Sequence, residues 1–172
     1  MIVGVVALQG AFREHLETLR SLGVEGREIR EKKDMEGIDG IILPGGESTV
    51  QGRLLREMGM LESLKSRIEE GLPVMGTCAG LILLASSLTN DKRIHLGTLP
   101  VSVRRNAYGR QLGSFMAEED VGECRAFPCV FIRAPLIEKV GEGVEVLSRH
   151  EGEITAVRWE NQLAMTFHPE LT

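Results

Sequence analysis

Residues 73–85, PVMGTCAGLILLA, run from a short apolar segment through a turn of small residues into a second apolar segment. The stretch predicts a strand ending at Thr77, a helix opening with Ala79-Gly80-Leu81, and Cys78 on the turn between them. A strand that feeds directly into a helix is the repeating unit of a parallel sheet, because parallel strands need a crossover to join them. Gly76 and Gly80 flank the turn, and their lack of side chains makes so abrupt a reversal sterically feasible.

The same alternation extends toward the N-terminus. IVGVVAL (2–8) is a continuous, β-branched apolar run, as expected of a strand buried on both faces. Phe12, Leu16, Leu19 and Leu22 then recur at helical spacing, and the pattern stops at Gly23. GREIR suggests a second strand, and DGIILPGG (39–46) a third, closed by proline and two glycines. Helical patterns through RLLREMG and MLESLKSRIEEG lead back to PVMGT as the fourth strand. Beyond about Thr98 the periodicity shortens: TLPVSVRR, CVFIRAP, VEVLSRH, EITAVRW and QLAMTFH read as strands with little helix between them. The expected fold is α/β, a three-layer, flavodoxin-like and mostly parallel central sheet with helices on both faces and an added antiparallel strand region. No linker, repeat or low-complexity tract divides it, so residues 1–172 are expected to form a single domain.

Composition narrows the function classes. A chain of 172 residues buries about 70% of its unfolded surface in one core, so no disulfide or metal is needed for stability. The net charge of -5 is spread along the chain, which disfavours nucleic acid and anionic membrane partners. Three cysteines, Cys78, Cys124 and Cys129, fit no disulfide framework. MIVGVVALQG lacks a charged leader and a cleavage site, and no apolar run approaches the ~20 residues that span a bilayer; the expected location is the cytoplasm.

A free cysteine is usually a small buried hydrophobe, and Cys124 and Cys129 are read that way. Cys78 differs by its position. A residue on a tight strand-to-helix turn at the carboxyl edge of a sheet has the geometry of a nucleophile elbow, with the next backbone N–H aimed at a developing oxyanion. A helix N-terminus also favours thiolate over thiol. Such a nucleophile needs a base and a group to orient it. His15 lies inside the first helix pattern, His95 in a polar connection and His150 beside Glu151, and all three read as surface or core filler. His168 in TFHPEL ends a strand, is followed by proline, and has Glu170 two residues on, which places both side chains on one side of an extended segment. Nucleophile, base and carboxylate then divide the roles of a triad.

GTCAG together with a late HPE resembles the class I, triad-type glutamine amidotransferases. With VALQGAFREH, LPGGEST, RRNAYGRQ, FIRAP and FHPEL, the likeness covers essentially the whole chain and is closest to the glutaminase subunits of pyridoxal 5'-phosphate synthase. The resemblance implies Cys78 as nucleophile, His168 as acid/base and Glu170 as its orienter. It implies that Gly46, Glu47 and Ser48 form a glutamine-binding loop, that the Gly46 and Ala79 N–H groups make the oxyanion hole, and that Arg105, Ile132 and Arg133 contact the substrate. Without the resemblance, LPGGEST is an ordinary strand-end turn with Ser48 or Thr49 capping the next helix, and the two arginines are surface charges.

The implied reaction is hydrolysis of L-glutamine to L-glutamate and ammonia through a cysteine thioester. The ammonia would pass to a TIM-barrel synthase subunit in a hetero-oligomer that makes pyridoxal 5'-phosphate, with no metal or bound cofactor on this chain. Glutaminases of histidine or guanine nucleotide synthesis are the alternative. Members of the family usually continue past HPELT into a final helix, so packing beside His168 is expected to be looser where the chain stops at Thr172.

Overall fold

A computed structural model describes residues 1–105 and 113–172. The expected strand-helix alternation is present: β1 (Ile2–Val6), α1 (Phe12–Ser21), β2 (Glu25–Ile29), β3 (Gly40–Leu43), α2 (Ser48–Glu57), α3 (Leu61–Glu69), β4 (Val74–Thr77) and α4 (Ala79–Leu84). Strands dominate thereafter: β5 (Ala85–Leu88), β6 (Leu99–Arg104), β7 (Ser114–Val121), β8 (Cys124–Ile132), β9 (Leu136–Val140), β10 (Glu145–His150), β11 (Glu153–Trp159) and β12 (Gln162–Met165), with a closing 3₁₀ turn at Pro169–Leu171.

The main sheet runs β2-β1-β3-β4-β12-β11-β9-β6-β5, with β10 added against β11. Its first five strands are all parallel, and β11, β9 and β10 supply the antiparallel part. The order explains how distant segments meet. β4, which carries Cys78 at its end, lies beside β12, which leads to His168, in the register Thr77↔Met165. The Cys78 N–H donates to the Met165 carbonyl at 2.9 Å, closing the ladder at the point where the two strands part.

Alternation along the strands divides the core. Ile41 and Leu43 of β3 join a large cluster with Leu55, Leu64, Ile68 and Leu81 from α2, α3 and α4. Ile42, between them, faces the other way and packs with Val5 and Leu19 toward α1. Helices thus cover both faces, as the parallel reading requires. Leu22, expected on the buried face of α1, is exposed, because the helix ends at Ser21 and Leu22 caps it. The separate hairpin β7–β8 packs through Phe131 and Cys129 onto Ala156, Met165 and Phe167; Phe131 stacks on Phe115 at 4.6 Å and meets Phe167 edge-on at 5.8 Å. Among the described residues no helix is long and apolar enough to cross a membrane.

Candidate active site

Cys78 sits on the turn foreseen from the sequence, at φ 52 and ψ -103, a combination that side chains with a Cβ rarely adopt. Two glycines make it feasible. A Cβ on Gly80 would lie 2.1 Å from the Leu43 carbonyl oxygen, and one on Gly76 would lie 2.7 Å from the Gly80 backbone. Packing of α4 against β3 and β4 therefore forces the turn, and the strain at Cys78, of order 1–3 kcal/mol, is carried by the surrounding core. α4 is only six residues long and passes straight into β5.

His168 arrives from β12, with its N–H donating to the Val130 carbonyl at 2.8 Å and so tied to the β7–β8 hairpin. The sequence places His168 and Glu170 on one extended segment. The structure instead ends β12 at Met165, leaves His168 extended at the N-cap, and turns into a 3₁₀ segment at Pro169, whose fixed φ starts the turn. The pairing survives by this other route: His168 Nδ1 and Glu170 Oε1 are 2.7 Å apart, and both residues are buried. Burial disfavours the charged imidazolium of His168, but hydrogen bonds to Cys78 and Glu170, and the charges of both, outweigh it and raise the pKa to about 9. The Cys78 Sγ also lies 3.9 Å from the Ile132 carbonyl oxygen.

These groups open onto a cleft of about 520 Å³ that brings together Cys78, His168, Gly46, Glu47, Ser48, Arg105, Ile132 and Arg133. Ala79 is buried at the first position of α4, beneath the cleft, and Glu170 lies behind His168. Ser48 does not cap α2: it is the first helical residue, Glu47 takes the cap position, and no side-chain cap bond forms. Arg105 is tethered to Asp91, Nη1 to Oδ2 at 2.8 Å, so a bound anion must share it with that carboxylate. Arg133 is held in the left-handed region at φ 45, its N–H donating to the Gly113 carbonyl. Of the RRNAYGRQ motif, residues 106–111 lie outside the described residues.

The loop at Gly45-Gly46 is braced by residues to which sequence reasoning assigned no role. Ala11 N–H donates to the Gly45 carbonyl at 2.9 Å, Glu47 N–H to Gln9 Oε1 at 2.8 Å, and Gln51 Nε2 to both the Gln9 and Pro44 carbonyls at 3.1 Å. A Cβ on Gly45 would fall 2.3 Å from His168 Cε1, and one on Gly46 would fall 2.4 Å from Gln9 Oε1. The available signal was positional: Gln9 and Gly10 follow a parallel strand, and the carboxyl ends of such strands are where an open α/β sheet binds ligands. His15, read as filler, is buried beside Glu170, its Nε2 3.5 Å from Glu170 Oε2. Cys124 is exposed, whereas Cys129 is buried, and burial pushes its thiol up to about 11.

The family model of the SNO glutamine amidotransferase family matches residues 5–172. A "Pyridoxal 5'-phosphate synthase subunit PdxT" of Desulfitobacterium hafniense (strain Y51) is 58% identical over 172 residues, spanning 99% of this chain and 86% of that relative. The protein of the same name from Streptococcus pneumoniae (strain ATCC 700669 / Spain 23F-1) is 51% identical over 176 residues, spanning 100% and 91%. A solved structure described as a glutamine amidotransferase superposes with a TM-score of 0.96 at 48% identity, covering 100% of this chain and 92% of that one.

Proposed function

Because the chain belongs to the SNO glutamine amidotransferase family, we propose that the cleft around Cys78 hydrolyses L-glutamine to L-glutamate and ammonia. The observation that carries this reading is the single buried line from Glu170 through His168 to a cysteine on a strained turn, opening on a cleft with cationic and anionic side chains. At neutral pH His168 carries the proton and stands beside the Cys78 sulfur. The sulfur attacks the side-chain amide carbon of glutamine. The resulting oxyanion is received by the Gly46 and Ala79 N–H groups, and His168 delivers its proton to the departing ammonia, leaving a thioester on Cys78. His168 then takes a proton from water as the water attacks the thioester, which releases glutamate and restores the starting pair. Glu170 holds the imidazole in the orientation that both steps need.

The substrate is a zwitterion at one end and a neutral amide at the other. Arg105 and Arg133 suit its carboxylate, Glu47 its ammonium, and Ser48 and the Ile132 backbone line the path between them. The names of the relatives support a place as a subunit of a pyridoxal 5'-phosphate synthase; on our reading the ammonia passes to a TIM-barrel synthase subunit in a hetero-oligomer in the cytoplasm. The test is glutamate release measured on the purified chain, alone and with a pyridoxal 5'-phosphate synthase subunit, for wild type and Cys78→Ala. Turnover that requires Cys78 and couples to pyridoxal 5'-phosphate formation supports the reading. Turnover at the wild-type rate in Cys78→Ala overturns it.

A further inference from the structure

His15 stands on the far side of Glu170 from His168. It projects from α1 on the same face as Leu19, is 3% exposed, and brings Nε2 to 3.5 Å from Glu170 Oε2 and 3.3 Å from Thr77 Oγ1. Thr77 is fully buried and immediately precedes Cys78. Glu170 Oε2 is buried as well and has no hydrogen-bond partner among the described residues, and the His15 imidazole faces it at 3.5 Å. The carboxylate thus lies between two imidazoles, one on each oxygen: Oε1 to His168 at 2.7 Å and Oε2 to His15 at 3.5 Å.

We propose that His15 is a positioning residue for this site: its Nε2–H, shared between Glu170 Oε2 and Thr77 Oγ1, fixes the rotation of the carboxylate that orients His168 and ties α1 to the strand end that carries Cys78. The inference rests on the glutaminase reading of the cleft. A carboxylate only accepts hydrogen bonds, so the contact requires the tautomer with hydrogen on Nε2. Burial pushes the His15 imidazolium down, against the pull of the Glu170 and Glu14 carboxylates and with the repulsion of His168, and so keeps His15 a neutral donor. Neutrality matters: a second imidazolium on Glu170 would compete with His168 for the same negative charge. The Oε2 contact, at 3.5 Å, is longer than an ideal hydrogen bond. Without the donor, the carboxylate of Glu170 is free to turn about its terminal bond, and Oε1 leaves the ring plane of His168.

The variants that test this differ in reach. A glutamine amide at position 15 extends to the place of the imidazole Nε2, whereas an asparagine amide stops at the place of Nδ1. Glutamine hydrolysis is measured with the synthase subunit bound, for wild type, His15→Gln, His15→Asn and His15→Leu. Alkylation of Cys78 by iodoacetamide at pH 7, followed by peptide mass, is measured on the same four proteins. His15→Asn and His15→Leu are expected to lose roughly tenfold in kcat with KM within about twofold, and to alkylate several-fold more slowly, while His15→Gln stays near wild type in both. Equal behaviour of the Asn and Gln variants overturns the proposal, whether both match wild type or both fail. Should His15→Leu not fold, the Asn and Gln pair still decides. Alkylation reads the thiol without glutamine, so a wild type that alkylates normally but releases no glutamate counts against the glutaminase reading and leaves the positioning test standing.

Discussion

His168 Nδ1 lies 2.7 Å from Glu170 Oε1, two residues away on a 3₁₀ turn, with both groups shielded from solvent. The consequence is electrostatic. Burial alone would make His168 a weak base, and the hydrogen bonds and charges of Cys78 and Glu170 reverse that, raising it to about 9. On the proposed mechanism the imidazolium donates its proton to leaving ammonia, and it is populated up to that pH and lost above it. We expect kcat/KM for glutamine to fall as pH rises through about 9. In Glu170→Gln the carboxylate charge that raises His168 is gone, so the alkaline limb should move to lower pH by about one unit or more. A pH-rate profile of the two proteins checks this, and an unmoved limb would separate Glu170 from the acid-base step.

Cys78 adopts a backbone conformation that only glycine takes without strain. Cys78→Ala keeps the Cβ, so it should abolish turnover while leaving the strain in place. Cys78→Gly should be equally inactive but more stable than Cys78→Ala by about 1 kcal/mol, since relief of the strain outweighs the extra freedom of the unfolded chain. Urea denaturation of the two variants measures the difference. Cys124→Ala, at an exposed position away from the cleft, should keep nearly full activity.

Gly45 packs against the His168 imidazole so closely that a methyl group there would lie 2.3 Å from His168 Cε1. Gly45→Ala should displace the ring and cost roughly 100-fold in kcat, a loss typical of a misplaced acid-base group. A crystal structure of the variant would show the ring displaced from Glu170. Retention of near wild-type kcat would mean the loop yields instead of the histidine.

His15 and His95 are both held below their ordinary value, chiefly by burial. The sign follows from linkage: the unfolded chain takes up protons at these residues below about pH 6.5, the folded chain resists, and stability is lost as pH falls from there toward the depressed folded values. The thermal unfolding midpoint should therefore fall as pH drops from about 6.5 toward those depressed values. The slope in that window should be shallower in His15→Gln, which has no proton to bind.

Much of this site was legible because its chemistry is local in sequence. GTCAG places Cys78 on a turn by itself, and HPE places a carboxylate within reach of His168. Even there, the reading of an extended segment gave way to a 3₁₀ turn, since Pro169 starts a turn as readily as it ends a strand. What sequence could not show was pairing across the sheet. Gln9 reaches the cleft, Gln51 its glycine loop and His15 the carboxylate behind His168 only because β1, β3 and β4 lie side by side with their carboxyl ends together, and His15 contacts Thr77 and Glu170 from 62 and 155 positions away. A lone histidine on an amphipathic helix looks the same whether it fills a core or meets a carboxylate. The β7–β8 hairpin was foreseen only in part, because SFMAEEDV, its first strand, carries three acidic residues in a row, Glu118-Glu119-Asp120, and offers little apolar signal.

The Gly45-Gly46 peptide is braced unequally, and its control of activity can be tested. On either side, Gln51 fixes the Pro44 carbonyl and Gln9 fixes the Glu47 N–H, but among the described residues the peptide itself is oriented by one bond, from Ala11 N–H to the Gly45 carbonyl. In a trans peptide the N–H points opposite to the C=O, so the Gly46 donor is directed away from Ala11, and turning it requires breaking that single bond, at a cost of about 1 kcal/mol. Glycine at both ends removes the steric barrier to the turn. A peptide so easily rotated can leave Cys78 short of an oxyanion donor until a partner selects one orientation, a shift that needs only a few kcal/mol of differential binding. The expected outcome is weak glutaminase activity for the isolated chain and a rise of roughly tenfold or more with saturating synthase subunit, carried by kcat and not by KM, since an oxyanion donor acts on the transition state. Steady-state kinetics in the two conditions decide it. Equal kcat alone and in complex would leave the two glycines with only the steric role that Gly45 plays against His168.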